Sequence, residues 1–287
     1  MVKEQAKIVG GHQPVAEFHT GLIAKVFVLN QWIGKRVWIV HDLDSLEEKG
    51  AVSITIPTKH GHVKHVPIFK VEDRSRLFTS EGIFLGIEKV VENIISWLEP
   101  PKRKIKEIRE RKERFEKIFK PGIKCKIGKF NTEITQFLIE EIFEGKISFP
   151  RDTICLSEFL ETTEGMEIMK EAIETFSPPK DFFWLWEDDT RKKLEEFASN
   201  LKLIPKALPL AFMFRKLAGK NGVLIRGFGQ KNYEESETPY KDLLPEVRTK
   251  VTVSSVQTLP NINLRPSLLL MYLLEIPFDP SKIIFKD

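Results

Sequence analysis

All six histidines of this 287-residue chain fall within its first 65 positions: His12, His19, His41, His60, His62 and His65. Three of them, His12, His19 and His41, stand among Gly11, Gln13, Thr20, Gly21, Lys25, Asp42 and Asp44. An imidazole changes charge near neutral pH and can stabilise charge developing on a transferring phosphoryl or adenylyl group. Lys25 could add a fixed positive charge. Asp42 and Asp44 alternate along an extended strand end, so both carboxylates point to one side. They could bind Mg²⁺ through one or two oxygens, or hold a substrate amine. The bland reading is that an Asp after a strand caps the next turn and that His41 is a hydrogen-bonded edge residue.

These residues need elements to hold them. Residues 7–10 read as a strand, 20–32 as a helix and 36–40 as a second strand. In a right-handed βαβ unit the two strands are parallel and adjacent, so Gly11-His12-Gln13-Pro14 and His41-Asp42-Leu43-Asp44 emerge at one sheet edge. Open α/β sheets bind ligands in the crevice beyond that edge. Thr20 is placed to cap the helix, and Gly21 allows close approach of a ligand. The helix start would then offer free N–H groups and a partial positive charge to a phosphate. A later strand, residues 222–225, runs into Arg226-Gly227-Phe228-Gly229. There, two glycines and an arginine suit a backbone cradle for phosphate or carboxylate, although an ordinary turn fits nearly as well.

Other chemistries find less support. A zinc site from His12, His19, His41 and Asp42 is chemically feasible, but no His-Glu-x-x-His or similar ligand spacing exists. His60 and His62 flank the Gly61 turn of an expected β-hairpin, residues 51–57 with 63–71. No Gly-x-Ser-x-Gly occurs, and Cys125 and Cys155 form no Cys-x-x-Cys pattern and lie far in sequence from any histidine.

The remaining chain reads as mostly helical until it returns to the sheet. Residues 80–98 carry helical apolar spacing at Ile83, Ile87, Val90, Val91, Ile94, Ile95 and Leu98. Residues 102–120 are densely charged, with Ile105, Ile108, Phe115 and Phe119 as a narrow stripe. A salt-bridged face, or half of a coiled-coil hairpin that could pair two copies, is expected there, with a basic nucleic-acid-binding helix as the sharper alternative. Further helices are expected at 131–144, 164–175, 188–200 and 205–218, with a short strand at 153–156 and an aromatic run at 182–186 that fits a core or subunit contact. A strand at 250–254 and a helix at 266–274 close the chain. The expected organisation is an α/β fold in which a Rossmann-like core is split between residues 1–98 and 204–287, with a helical insertion over 99–203.

Composition sets bounds. Hydrophobic residues make up 41% of the chain, enough for a substantial core, and a net charge of +4 suits an anionic ligand better than a nucleic-acid surface. The charged fraction of 30%, rich in Lys, Glu and Arg, is of the kind thermophile proteins show. A polar start and the lack of any apolar run of about 18 residues point to a soluble, cytoplasmic protein without a membrane partner.

Gly11-His12-Gln13-Pro14, Phe18-His19-Thr20-Gly21 and Lys25 resemble the opening motif of proteins related to the cysteine-adding ligase of bacillithiol synthesis. The similarity is greater to a branch of that family with Gly-His-Gln-Pro and Phe-His-Pro-Gly motifs. Ala207-Leu208-Pro209-Leu210, Arg215, the run from Ile225 to Gln230, Tyr233-Glu234 and residues 252–259 are similar to the branch's C-terminal part. Thr20 stands where those relatives carry Pro, Arg226 and Gln230 replace His and Gly, and the chain is much shorter than the ligase. The resemblance implies a core akin to class I nucleotidylyl transferases, nucleotide binding (ATP or ADP) with Mg²⁺, and nucleotide-linked ligase chemistry on a small-molecule substrate. It places His12, Gln13, His19, Thr20, Gly21 and Lys25 on the nucleotide or its phosphates, Asp42 and Asp44 on a metal or amine, and Arg226, Gly227 and Gly229 at the closing side. A non-catalytic nucleotide or metabolite sensor and an RNA-associated protein are the alternatives.

Overall fold

A computed structural model describes residues 7–42, 46, 50–57, 63–72, 78–176, 223–227, 246–251, 267–278 and 283–286. The chain is α/β, built on a sheet whose parallel centre is β1 (Ile8–His12), β2 (Arg36–Val40) and β8 (Asp152–Cys155). On the other side of β1 the sheet continues through β9 (Val223–Gly227) and β10 (Glu246–Val251), both parallel, to an antiparallel edge strand β11 (Ile283–Lys286). The order is β11-β10-β9-β1-β2-β8. The chain therefore steps outward from β1 in one direction, then returns to the other side of β1 and steps outward again. That reversal puts the topological switch point at the carboxyl end of β1.

β1 is central, so both its faces are apolar: Ile8 and Val9 are fully buried and point to opposite sides. Val9, Val37 and Ile39 meet Ile154 and Phe159, the latter on the short helix α5 (Leu156–Leu160). Helix α1 (Thr20–Gln31) lies across β1, β9 and β10. Residues 22–26, 28 and 29 of α1 are all buried, which is why the helix lacks a clear polar face. Gly10 lets this helix settle: a Cβ there would lie 3.3 Å from Leu29 Cδ1 and 3.5 Å from the Trp38 ring.

The expected hairpin forms as β3 (Ser53–Pro57) against β4 (Val63–Pro67), antiparallel, with Thr55 opposite His65. His60 and His62 lie outside the described residues. The expectation of helix from residue 80 needs correction. Residues 81–84 are strand β6 (Glu81–Phe84), joined on one side to β5 (Phe69–Lys70) and on the other to β7 (Lys124–Lys126), also unforeseen. Gly86 has φ +82°, a conformation that ends the strand and bars a continuous helix through it. Helix α2 (Glu88–Leu98) starts only after this turn, with the Ile87 N–H donating to Glu116 Oε1 (2.9 Å).

Helix α3 (Lys102–Ile118) is no free coiled-coil half: Ile108 and Phe115 are fully buried within the chain. Its rings join a phenylalanine core in which Phe69, Phe84, Phe115, Phe119, Phe130 and Phe137 meet at centroid separations of 4.9–6.4 Å. Helix α4 (Ile127–Ile142) supplies Phe130 and Phe137, and helix α6 (Thr163–Phe176) follows β8 and α5. The last described helix, α7 (Leu268–Leu274), brings Tyr272 against Phe137. Its left-handed C-cap, Glu275, is held by Lys104 and Arg111 of α3. Arg103, Lys106, Arg109, Lys112 and Arg114 of α3 pair with Glu88, Glu107, Glu110, Glu116 and Glu141, the salt-bridged face expected of this segment. Residues 152–155, inside the stretch expected to be a helical insertion, are the strand beside β2. The expected helices at 188–200 and 205–218 and the aromatic run at 182–186 lie outside the described residues. Among the described residues no helix is long and apolar enough to cross a membrane.

Candidate active site

The carboxyl ends of β1 and β2 do converge. His12 pairs with Val40 in register, and the His41 N–H donates to the His12 carbonyl (3.0 Å). Continuing the β1–β9 offset, Ile8 with Val223 and Val9 with Leu224, brings Arg226 and Gly227 level with Gly11 and His12. The cradle residues named from sequence thus flank β1 on the side away from β2. Gly229 and Asp44 lie outside the described residues.

Lys25 is 4% exposed, one turn into an otherwise apolar helix, and its Nζ donates to the Gly11 carbonyl (3.2 Å). The ammonium is therefore seated at the end of β1, close to His12. Burial pushes the His12 imidazole down to about 3. The Lys25 charge and the neighbouring His19 and His41 push the same way, against a hydrogen bond to Gln13. His12 is therefore neutral at physiological pH. Its Nδ1–H donates to the Gln13 carbonyl (3.0 Å), which leaves the proton-free Nε2 as a hydrogen-bond acceptor.

His19 has the complementary arrangement. It, and not Thr20, is the N-cap of α1: the Gly21 N–H donates to His19 Nδ1 (3.1 Å). Thr20 is instead the first helical residue. With Nδ1 accepting, the proton of a neutral His19 sits on Nε2, which becomes a donor. The two rings lie edge to face with centroids 6.4 Å apart. Gly21 is required here because a Cβ would stand 3.0 Å from His19 Cε1. Its smallness seats the capping ring. The helix start is also less open than expected, since the Leu22 and Ile23 N–H groups both donate to the His19 carbonyl. The helix dipole, the His19 ring and the Lys25 ammonium all lie at this end of α1.

Asp42 is held by a residue far along the chain and not by its own next turn. Its carboxylate accepts from the Ser157 N–H (2.9 Å) and from the Ser157 hydroxyl, tying the end of β2 to the first turn of α5. Both oxygens are thus engaged. Among the described residues no three His, Cys, Asp or Glu side chains converge on a metal position. The described residues therefore supply no Mg²⁺ or zinc cage. Cys125 and Cys155 are free thiols pushed up to about 11, chiefly by burial, which leaves them poor nucleophiles.

Three positioning residues were missed from sequence. Ser157 is one. Asn131 is another: fully buried on α4, it donates from Nδ2 to the carbonyls of Pro14 (2.8 Å) and Ala51 (3.0 Å), fastening the loop after β1 to the middle of the chain. Its only signal was an amide on the buried side of a helix between Phe130 and Ile134. Ser267 is the third. It forms a β-bridge with His19 and caps α7, and the next N–H, of Leu268, donates to the Phe18 carbonyl (2.8 Å).

Comparisons with protein-family models, with curated proteins and with solved structures found no match.

Proposed function

We propose that the carboxyl edge of β1 binds a phosphate-bearing small molecule, a nucleotide first among them, and that the chain is a ligase- or transferase-type enzyme acting on it. The observation that carries this reading is Lys25, an ammonium buried in an apolar helix and seated at the strand end beside an imidazole kept neutral. Burying a charge is costly unless polar groups surround it, as the Gly11 carbonyl does here. An anion in the crevice would meet that charge at the strand end. The paired rings suit group transfer. His12 Nε2 would accept a hydrogen bond from an attacking amine or hydroxyl and orient it, and His19 Nε2–H would donate to the oxygen on which charge develops. Arg226 and the backbone at Gly227, on the strand at the switch point, would close the phosphate side. The likeness of the opening motif to the bacillithiol-ligase relatives supports a nucleotidylyl-transferase type of core and an amine, such as that of cysteine, as the attacking group.

Titration calorimetry and thermal shift with ATP, ADP, CTP, GTP and inorganic pyrophosphate, each with and without Mg²⁺, test the reading, with Lys25→Met in parallel. Methionine fills the same volume without charge, so the variant is expected to stay folded with an undiminished Tm. A concentration-dependent shift with one ligand, reduced at least about tenfold in affinity in Lys25→Met, is the expected result. No shift with any of them, or one that Lys25→Met leaves intact, refutes the proposal.

A further inference from the structure

The late strands of the sheet bring positive charge to the switch point. β9, β10 and β11 hold four cations, Arg226, Arg248, Lys250 and Lys286, and one acid, Glu246. The register lines up three of the cations. Arg248 is the partner of Arg226 across the β9–β10 pair and of Lys286 across the β10–β11 pair. Arg226 in turn is level with Gly11 when the β1–β9 offset is continued. One cross-strand row therefore reads Lys286, Arg248, Arg226, Gly11. Neighbouring strands lie about 4.8 Å apart, so the three cationic residues follow one another over about 10 Å. The row ends at a glycine, next to the carboxyl end of the central strand.

Strand alternation separates this row from the one before it. Val247 and Ile225 are partners, and the same offset sets Ile225 level with Gly10. That row is apolar, and it faces α1: a Cβ on Gly10 would meet Leu29 of the helix. The cationic row belongs to the opposite face of the sheet. Like charges at directly opposed positions weaken a sheet, so the arrangement is unfavourable as a purely structural device. An anion spread along the row converts the repulsion into attraction. Glu246 stands off the row, opposite Leu224 and two positions nearer the amino ends of the strands. Lys250 lies two positions beyond Arg248, opposite Ile284 and further towards the carboxyl edge.

We infer that Arg226, Arg248 and Lys286 form a subsite for the outer groups of a polyphosphate ligand whose inner phosphate sits at Gly11. The Gly11 carbonyl accepts from Lys25 Nζ (3.2 Å), so an anion drawn to that ammonium is already at the last position of the row. From there the chain of phosphates runs outward over β9, β10 and β11. Arginine suits the inner two positions because a guanidinium offers parallel N–H donors to phosphate oxygens, and the lysine adds a point charge at the far end. The inference rests on the phosphate reading of the crevice and narrows it: the ligand is a di- or triphosphate, bound in preference to a monophosphate.

Titration calorimetry at fixed ionic strength compares inorganic phosphate, pyrophosphate and tripolyphosphate. The proteins are the wild type, Lys25→Met, Arg248→Gln and, as the control for net charge, Lys120→Gln at an exposed position after α3. Wild-type affinity is expected to rise about tenfold with each added phosphate, the gain of one charge-assisted hydrogen-bonded contact. Arg248→Gln should lose about tenfold or more for tripolyphosphate while keeping its affinity for phosphate. Lys25→Met should weaken all three anions by one common factor, and Lys120→Gln should leave all three unchanged. Without anion, Arg248→Gln should melt no lower than the wild type, because one member of a like-charged row is gone, and tripolyphosphate should raise its Tm less. Equal affinities for the three anions, a length dependence intact in Arg248→Gln, or an equal loss in Lys120→Gln would each overturn the subsite and leave the Lys25 reading standing. A length dependence lost in Arg248→Gln but indifferent to Lys25→Met would uphold the row and refute the Lys25 reading. Binding of none of the three refutes both. Should Arg248→Gln fail to fold, Lys286→Gln on the edge strand decides by the same criteria.

Discussion

Acidification should destabilise this protein through His12 in a way that can be isolated. The ring is neutral in the fold down to about pH 3, whereas in the unfolded chain it takes a proton near 6.5. Between those values the unfolded chain binds more protons than the fold, so stability is intact above pH 6.5 and declines as the pH drops below it. At pH 5 the unfolded state gains a factor of about 33, which is up to about 2 kcal/mol, and any folded value below about 4 gives nearly the same figure. For a chain of this size that is roughly 4–8 °C in Tm. Other histidines and the carboxylates titrate in the same range, so the quantity to measure is a difference. His12→Asn keeps an amide donor for the Gln13 carbonyl and does not titrate. Urea unfolding of both proteins from pH 7.5 to 5 should show the wild type losing up to about 2 kcal/mol more than the variant. Ring ¹⁵N shifts provide a direct check, with His12 still neutral at pH 5 and its proton on Nδ1. Equal losses in the two proteins, or a His12 that titrates near 6, would refute the burial argument and with it the role of His12 as a neutral hydrogen-bond acceptor at the site.

Two further substitutions probe how the site is held. Gly21→Ala places a methyl 3.0 Å from His19 Cε1 and should displace the capping ring, costing about 1 kcal/mol in thermal or urea unfolding. The His19 proton should then no longer be confined to Nε2 in ¹⁵N spectra, and an unchanged His19 spectrum would show that the ring is not held by its cap. Asn131→Ala leaves the buried Pro14 and Ala51 carbonyls without their donor and should cost about 1–3 kcal/mol, with faster amide exchange at residues 14–18. Stability loss without faster exchange there would mean that Asn131 merely packs α4.

The opening βαβ unit was legible because its signals are local. A short apolar run rich in β-branched residues marks residues 36–40, the apolar run of α1 begins after a polar loop, and both strand ends are labelled by polar residues within a few positions. The hairpin was equally legible, since its two arms each alternate in polarity and lie close together in the sequence. Residues 80–84 were misread because Ile83, Ile87, Val90 and Val91 keep helical spacing across a boundary that sequence does not mark. What made the strand was pairing with Lys124–Lys126, some forty positions later, together with the positive φ of Gly86. Strand pairing is a long-range choice and leaves little trace in a local window.

Within the site the division runs by proton and by partner. The sequence alone determined which groups gather at the end of β1: His12, His19 and His41, with Lys25 one turn along the helix, because a right-handed crossover leaves them no other edge. Only the tertiary structure decided what state each group is in. Asp42 is taken by Ser157, 115 positions away, and a carboxylate so engaged cannot be told by spacing from a free one. The His12 acceptor and the His19 donor follow from which carbonyl or amide each Nδ1 meets. The placement of β9 on the far side of β1, which makes that strand end a switch point, depends on where a strand more than two hundred residues later finds its neighbour. Residue types and local periodicity are written along the chain, but burial, tautomer and strand order are properties of neighbours that only folding brings together.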